Sequence, residues 1–214
     1  QKYDVVVTNP PYMAISNGDA RLNEYVKKNY PDSKADLFAV FIECCSAMTE
    51  QNRYQAMITQ HAWMFLSSYE KLRMQLRTSD IVNMAHLGPR AFEEIGGEVV
   101  QTTSFVFRKS HITDYKGEYC RLIEPTSQQG KEDMFLSGEN RYEADQSNFS
   151  KIPGSAVAYW WGNFKIFSLP KIRDFYESAG RNKTHNNELY TRNWWEISDT
   201  DRWQPYANGG IFRR

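Results

Sequence analysis

A valine-rich run over residues 3–8 ends directly at the sequence Asn9-Pro10-Pro11-Tyr12. Adjacent valines are typical of a strand that is buried on both faces of a parallel sheet. Pro11 has no N–H and keeps the residue before it out of the helical region, so the chain must leave the strand as an extended loop. Open α/β sheets bind ligands at the carboxyl ends of their strands. The pattern therefore predicts a loop at the ligand-binding edge of such a sheet.

Two hydrogen-bond acceptors stand next to each other in this loop, the side-chain oxygen of Asn9 and the carbonyl of Pro10. They suit a planar amino group, whose conjugated lone pair becomes nucleophilic only when its N–H bonds are pulled out of conjugation. Tyr12 offers a flat ring, and stacking of a base swung out of a duplex would contribute roughly 1–3 kcal/mol. Positioning and dipoles could then carry methyl transfer from a sulfonium donor without a general base. The alternative interpretation is an ordinary turn, since Asn-Pro pairs begin turns.

Alternating strand and helix patterns follow the loop. The spacing of apolar and turn residues predicts a short helix within a polar loop, then a helix, a strand, a capped helix and three strands, over residues 22–29, 36–51, 53–59, 69–77, 81–87, 102–108 and 118–123. Ser67 and Glu70 form a capping-box pair ahead of the second of the two long helices. The strands over 81–87 and 102–108 are expected to be antiparallel. The fold class is α/β, the later half of a doubly wound, Rossmann-like sheet with an appended aromatic-rich α+β region.

Composition bounds the class of protein. The 214 residues carry 26 Lys+Arg and 26 Asp+Glu, so any affinity for nucleic acid must come from local patches. Cys44 and Cys45 are adjacent in a predicted helix and badly placed for bridging, and Cys120 completes an odd set, which suits a reducing cytoplasm. No apolar run reaches the roughly 18 residues of a membrane helix. The four histidines are widely spaced, and no metal site is expected.

Further candidate residues surround the loop. Asp36 precedes a helix at the same sheet end as Asn9, so it is predicted to cap that helix or to form a wall of the donor and base pockets together with Phe38. No Gly-x-Gly turn for a methyl donor occurs in the sequence, so the donor's main binding motif is expected outside this chain. Five candidate DNA-binding residues combine positive charge and aromatic rings: Lys165, Arg192, Trp194, Trp195 and Arg202. The alternative for the tryptophans is packing.

These residues together resemble a known family. The Asn9-Pro10-Pro11-Tyr12 loop, Asp36-Leu37-Phe38, and the later Ile152-Pro153-Gly154-Ser155 and Trp194-Trp195-Glu196 sequences are similar to adenine-specific (N6) DNA methyltransferases of the PglX-like phage-exclusion (BREX) type. One departure is His185, where relatives usually have glycine. The likeness runs across nearly the whole chain yet covers a central slice of such enzymes, the half of the catalytic domain that carries the Asn-Pro-Pro-Tyr motif.

The resemblance implies transfer of a methyl group from S-adenosylmethionine to adenine N6 in double-stranded DNA. It implies that Asn9 and Pro10, with Pro11 framing them, hold the amino group, that Tyr12 stacks, and that Asp36 and Phe38 line the pocket. Residues 1–112 would form the C-terminal half of the catalytic domain, and residues 113–214 a linking region and the start of the target-recognition region. We expect the chain alone to be inactive, and other phage-defence subunits to be its partners, without a membrane.

Two alternative functions are compatible with the sequence. Protein-glutamine N5-methyltransferases use the same Asn-Pro-Pro-Tyr loop on a side-chain amide. A non-catalytic DNA-binding or scaffolding subunit could keep the loop as a vestige. Neither the recognition sequence nor the oligomeric state follows from the sequence, since specificity depends on which side chains reach base edges.

Overall fold

The computed structural model describes residues 1–92, 100–177, 186–198 and 201–204, apart from the side chain of Trp194. The chain divides into two compact units, Gln1–Leu169 and Pro170–Arg214. The first unit holds the sheet and the Asn9 loop. The predicted boundary after residue 112 falls inside this unit, and where a target-recognition region begins stays a prediction.

The first unit consists of one six-stranded sheet with helices between its strands. Its strands are β1 (Tyr3–Thr8), β2 (Thr49–Gln60), β3 (Asp80–Gly88), β4 (Thr102–Arg108), β5 (Lys116–Arg121) and β6 (Arg141–Asp145). Its helices are α1 (Ala20–Asn29), α2 (Leu37–Met48), α3 (Glu70–Leu76) and α4 (Gln128–Ser137). The described part of the second unit contains the short helix α5 (Asn187–Tyr190) and two 3-10 turns, Ile172–Asp174 and Trp194–Glu196.

The sheet has the order β1-β2-β4-β3-β5-β6. Strands β1 and β2 are parallel, with Thr8 opposite Met57, and β4 lies antiparallel between β2 and β3. Strand β5 is parallel to β3, and β6 is antiparallel to β5. The carboxyl ends of β1, β2, β3 and β5 therefore meet at one edge, which we call the carboxyl edge. The predicted antiparallel pairing of the strands around residues 81–87 and 102–108 is confirmed.

Apolar burial explains why these segments form their elements. Helix α2 buries Phe38, Ala39 and Ile42 completely, at 0% exposure each, against the sheet. In β4, Phe105 and Phe107 stack on each other with ring centroids 4.3 Å apart, and Trp63 packs edge-on against both. Burying large aromatic side chains is a major source of stability. The core thus joins α2, the centre of the sheet and the turn that follows β2.

Three sequence predictions are corrected by the structure. The valine-rich strand, predicted to be buried on both faces, is the edge strand β1, and its Val5 and Val7 are 57% and 69% exposed. The expected capping box of Ser67 and Glu70 is absent, because residues 67–69 form a 3-10 turn, and α3 begins at Glu70 without a side-chain cap. The polar stretch 125–150 contains α4 and β6, which the sequence did not predict. Lys131 is the buried residue of α4, so that helix shows no apolar periodicity. Among the described residues, no helix is both long and apolar enough to cross a membrane.

Candidate active site

The Asn9 loop presents two acceptors that have no partner among the described residues. Asn9 is exposed and Pro10 is buried, directly beyond the last residue of β1. Neither the Asn9 side chain nor the Pro10 carbonyl is hydrogen-bonded to any residue in the described ranges. Unpaired acceptors at the carboxyl edge are what the sequence predicted for a planar amino group. Neither oxygen is taken up by a protein donor among the described residues.

Tyr12 is positioned by the packing of its ring, and its hydroxyl makes no hydrogen bond within the described residues. The ring is half-buried and packs edge-on against Phe38, with centroids 6.3 Å apart and an interplanar angle of 83°. The hydroxyl oxygen is buried without a hydrogen-bond partner among the described residues, and burial raises the pKa of Tyr12 to about 12. A buried unpaired hydroxyl is destabilising. What the fold uses at position 12 is therefore the flat aromatic ring.

Asp36 ties the loop to the start of α2. Its Oδ1 accepts hydrogen bonds from the backbone N–H of Met13 at 3.0 Å and of Phe38 at 3.3 Å. The Leu37 N–H donates to the Met13 carbonyl at 2.9 Å, which closes the link from the other side. Burial raises the pKa of the Asp36 carboxyl, and the hydrogen bonds from the backbone N–H groups oppose that shift. The predicted helix cap is confirmed, and the carboxylate also fixes the residue that follows Tyr12.

Phe38 forms the floor beneath Tyr12. It is completely buried, and its ring centroid lies 5.7 Å from that of Tyr69. Tyr12, Phe38 and Tyr69 therefore form a row of aromatic rings that runs from the loop into the core. In this structure Phe38 contributes to the site through its contact with Tyr12. Its predicted place in a pocket wall stays a prediction.

A hydrogen-bonded chain of His61, His86 and Tyr159 lies at the same edge and was not predicted from the sequence. His61 Nδ1 lies 2.8 Å from His86 Nε2, and His86 Nδ1 lies 3.2 Å from the Tyr159 hydroxyl. Burial lowers the pKa of His61, and it lowers that of His86 to about 3, with smaller contributions from His61, Arg121 and Lys131. The available signal was position, since His61 directly follows β2 and His86 lies at the end of β3.

Hydrogen bonds hold the segment 152–160 against the turn that follows β2. Arg73, only 3% exposed, donates from Nη1 to the carbonyls of Trp63 and Leu66, both at 2.7 Å, and from Nε and Nη2 to that of Gly154 at 2.9 and 2.6 Å. The Val157 N–H donates to the Met64 carbonyl at 2.9 Å. The turn after β2 and the segment 152–160 are thus held as one piece.

Comparisons with known proteins place this architecture. The sequence profile of the Eco57I restriction-modification methylase family matches residues 1–92. The chain is 42% identical over its whole length to the adenine-specific methyltransferase PglX of Lacticaseibacillus casei, and 38% identical over its whole length to the adenine-specific methyltransferase BrxX of Escherichia coli. The chain is therefore similar over its whole length to PglX-like adenine-specific methyltransferases.

The chain spans about a fifth of the length of these relatives, 20% of PglX and 19% of BrxX. Its fold is similar to that of a modification subunit of a putative type I restriction enzyme from Vibrio vulnificus, with a TM-score of 0.52 and 13% sequence identity. That similarity covers 69% of this chain and 34% of the modification subunit. The Rossmann-like methyltransferase sheet predicted from the sequence is confirmed.

The DNA-binding residues predicted for the chain fall in both compact units. Lys165 is exposed in the first unit, and Arg202 is exposed in the second. Trp195 is 65% exposed. Arg192 donates to the carbonyls of Glu188 and Thr191, both at 2.7 Å, and its guanidinium lies 6.0 Å from the ring centroid of Trp203. The side chain of Trp194 and all of His185 lie outside the described residues, and the role of the set in DNA binding stays a prediction.

Two clefts in the described part of the chain lie away from the Asn9 loop. Within the described ranges of the chain, no three His, Cys, Asp or Glu side chains form a group that could hold a metal. Two clefts of about 400 Å³ lie at the opposite edge of the sheet, one lined by Met74, Arg77, Thr78, His111, Gln146 and Ser147, the other by Gln51, Asn52, Tyr54, Arg108, Ser110, His111 and Ile112. The acceptors at Asn9 and Pro10 are unrelated to either cleft.

Proposed function

We propose that this chain carries the amino-group-binding half of the catalytic domain of an enzyme that methylates adenine N6 in double-stranded DNA. The single observation that carries the proposal is the pair of unpartnered acceptors, Asn9 Oδ1 and the Pro10 carbonyl, at the carboxyl end of β1. The names of the family and of the two relatives, a restriction-modification methylase and two adenine-specific methyltransferases, support adenine in DNA as the substrate.

The residues of the chain act by binding and orientation. Asn9 Oδ1 and the Pro10 carbonyl accept the two N–H bonds of the amino group, which draws the nitrogen out of conjugation with its ring. Tyr12 stacks on the extruded base, and the Asp36–Met13 link together with the buried Phe38 fixes the place of that ring. Preorganised dipoles of this kind need no rearrangement during the reaction. No proton acceptor has to act before the nitrogen is methylated.

S-adenosylmethionine supplies the methyl group when it is bound. The chain fits a donor site built beside it, because β1 is an edge strand whose Tyr3, Val5 and Val7 are 40%, 57% and 69% exposed. Valine-rich edges of this kind are normally covered by another strand. We propose that the donor-binding strands of the full-length protein pair with β1, and that Asp36 and Phe38 then form part of the wall between donor and base.

The proposed setting is genome modification in the cytoplasm. Phage defence or restriction-modification would use such an enzyme to mark the DNA of its own cell, with other subunits of the defence system as partners. In that setting the candidate DNA-binding residues Lys165, Arg192, Trp194, Trp195 and Arg202 contribute phosphate contacts and stacking. Exposed cations and aromatic rings supply the contacts that DNA binding requires.

The decisive experiment replaces Asn9 in the full-length protein. We expect Asn9→Ala to lower the rate of N6-methyladenine formation by about 100-fold or more, because one preorganised dipole is removed, while DNA affinity is retained. Asn83→Ala is the matched control, since Asn83 is exposed within β3, away from the carboxyl edge. Nucleoside analysis of the DNA and mass spectrometry of the protein fraction separate DNA methylation from glutamine methylation. Unchanged DNA methylation in Asn9→Ala would contradict the proposal.

A further inference from the structure

The hydrogen-bonded chain at the carboxyl edge has a direction. Tyr159 is 3% exposed, and His86 Nδ1 is the partner of its hydroxyl among the described residues. If the Tyr159 hydroxyl donates to His86 Nδ1, the proton of His86 lies on Nε2 and is donated to His61 Nδ1. The proton of His61 then lies on Nε2. Every buried donor in the chain has an acceptor in this arrangement.

The reverse arrangement leaves one buried donor without an acceptor. His61 Nδ1–H would donate to His86 Nε2, and His86 Nδ1–H would donate to the Tyr159 oxygen. The Tyr159 hydroxyl proton would then be buried without an acceptor in the described part of the chain, which carries the full desolvation penalty of that group. The first arrangement requires both imidazoles to be neutral. Burial favours the neutral form in both, by lowering the pKa values of His61 and His86.

The structure therefore fixes His61 as a neutral donor that points its Nε2–H away from the chain. His61 is half-buried, and its Nε2 is neither buried nor paired within the described ranges. The aromatic rings of Phe65 and His86, at centroid distances of 5.5 and 5.1 Å, hold the imidazole in place. A fixed tautomer in a packed environment is a feature of recognition sites, because the donor does not need to reorient when a ligand arrives.

His61 follows the strand next to the one that carries the amino-group acceptors. It follows the end of β2, and β2 is the parallel neighbour of β1, which ends at the Asn9 loop. Since Thr8 is opposite Met57 and β2 continues to Gln60, His61 stands beyond the level of Asn9 by roughly 10 Å, at about 3.3 Å per strand residue. A base whose amino group is held at Asn9 would extend outward over this edge.

We propose that His61 is a specificity-determining residue that donates its Nε2–H to a ring nitrogen of the target adenine. The inference rests on the proposed function. Adenine presents an amino donor next to acceptor ring nitrogens. The two acceptors at Asn9 and Pro10 complement the first feature, and the neutral donor at His61 complements the second. A purine that keeps the amino group but has no ring nitrogen within reach of His61 Nε2–H leaves that donor unpaired, so it binds more weakly.

The test pairs variants of the full-length protein with altered bases. Duplexes carry 7-deazaadenine or 1-deazaadenine in place of the target adenine, and kcat/KM is measured for the wild type and for His61→Asn and His61→Gln. Asparagine keeps an acceptor for His86 but has no donor at the position of Nε2, whereas glutamine places an amide N–H there. Changes in amine reactivity caused by the analogues are common to all proteins and cancel in the double-mutant cycle.

We expect one analogue to lower wild-type kcat/KM about 3- to 10-fold, the size of one hydrogen bond. His61→Asn should lower kcat/KM on normal DNA by a similar factor and show no further loss with that analogue, while His61→Gln should retain sensitivity to it. Tyr159→Phe removes the hydroxyl that fixes the tautomers of His86 and His61, so this variant should be less sensitive to the analogue than the wild type. Equal losses in wild type and His61→Asn, or no loss with either analogue, would overturn the inference and leave the proposed function intact. If the wild type does not methylate DNA, both are overturned.

Discussion

The Asp36 carboxylate accepts the backbone N–H of Met13 at 3.0 Å while it caps helix α2. One side chain thus joins the first turn of a core helix to the residue that follows Tyr12. Neither the Asn9 side chain nor the Pro10 carbonyl is hydrogen-bonded within the described chain, so the geometry of the Asn9 loop depends on this link. The Asp36 carboxylate therefore both caps helix α2 and holds the loop of the candidate site.

Loss of the Asp36 carboxylate should affect both stability and activity. Asp36→Ala is expected to lower the free energy of unfolding by about 1–2 kcal/mol, the usual cost of a lost cap, and to reduce methylation by the full-length protein. Asp19→Ala is the control, because Asp19 caps α1 through Leu22 N–H without touching the loop. Urea unfolding of the chain and methylation assays check the pair. Equal loss of activity in both variants would contradict the assigned role of Asp36.

Removal of the Tyr12 hydroxyl should not harm the fold. Its oxygen is buried without a partner, so Tyr12→Phe is expected to leave the free energy of unfolding unchanged or to raise it by up to about 1 kcal/mol. Methylation should be retained, because the flat ring remains. Tyr12→Leu should reduce methylation, since stacking is lost.

Tyr119→Phe is a matched comparison for that stability effect. Tyr119 is 1% exposed, and its hydroxyl is also buried without a partner among the described residues, but it lies in β5. Thermal unfolding should respond alike to both phenylalanine variants. A large loss of stability in Tyr12→Phe alone would show that the hydroxyl at position 12 has a partner.

His86 should make the chain less stable in mild acid. The folded pKa of about 3 lies below the ordinary value of 6.5, so the unfolded state binds the proton more tightly. Its contribution is fully present above about pH 6.5 and is lost as pH falls toward 3, by about 2 kcal/mol between pH 7 and pH 5. Urea unfolding at both pH values should show this loss in the wild type and a smaller one in His86→Gln. His111→Gln, at an exposed position, controls for the removal of one histidine.

Arg73 should not be replaceable by lysine. Its guanidinium donates hydrogen bonds to the carbonyls of Trp63, Leu66 and Gly154. The ammonium group of a lysine cannot reach all three carbonyls in the same geometry. Arg73→Lys is expected to lower the free energy of unfolding by at least about 2 kcal/mol, because buried carbonyls lose their donors. Arg77→Lys, on the exposed side of the same region, should change it by less than about 0.5 kcal/mol. Denaturant unfolding of both variants decides the matter.

The sequence predicted the parts of the fold that have strong apolar patterns. Helix α2 and the antiparallel pair β3 and β4 follow from apolar residues whose spacing matches their burial. Strand β1 was found from its valines, although Val5 and Val7 are exposed at the edge of the sheet. Helix α4 could not be found in this way, because its buried side chain is Lys131, which donates to the carbonyls of Leu87 and Leu122. In a sequence, a buried lysine that pairs with carbonyls cannot be distinguished from an exposed lysine, so the pattern gave no sign of a buried helix face.

The site was predictable where chemistry is local. The acceptors of Asn9 and Pro10 and the cap at Asp36 follow from adjacent residues and from helix-start rules. The His61–His86–Tyr159 chain could not be predicted, because its members are separated by 25 and 73 residues along the sequence and meet only through the order of the strands. The turn after β2 and the segment 152–160 are joined by Arg73 in the same non-local way.

The exposed outer face of β1 governs how this chain behaves as an isolated polypeptide. No described strand pairs with the backbone N–H and C=O groups on that side of β1, and the exposed Val5 and Val7 make the edge strand apolar. Exposed strand edges of this kind pair with edges of other molecules, so we expect solutions of the isolated chain to aggregate or form fibrils as concentration rises. A lysine or proline introduced at Val5 or Val7 should keep preparations clear for crystallography or NMR.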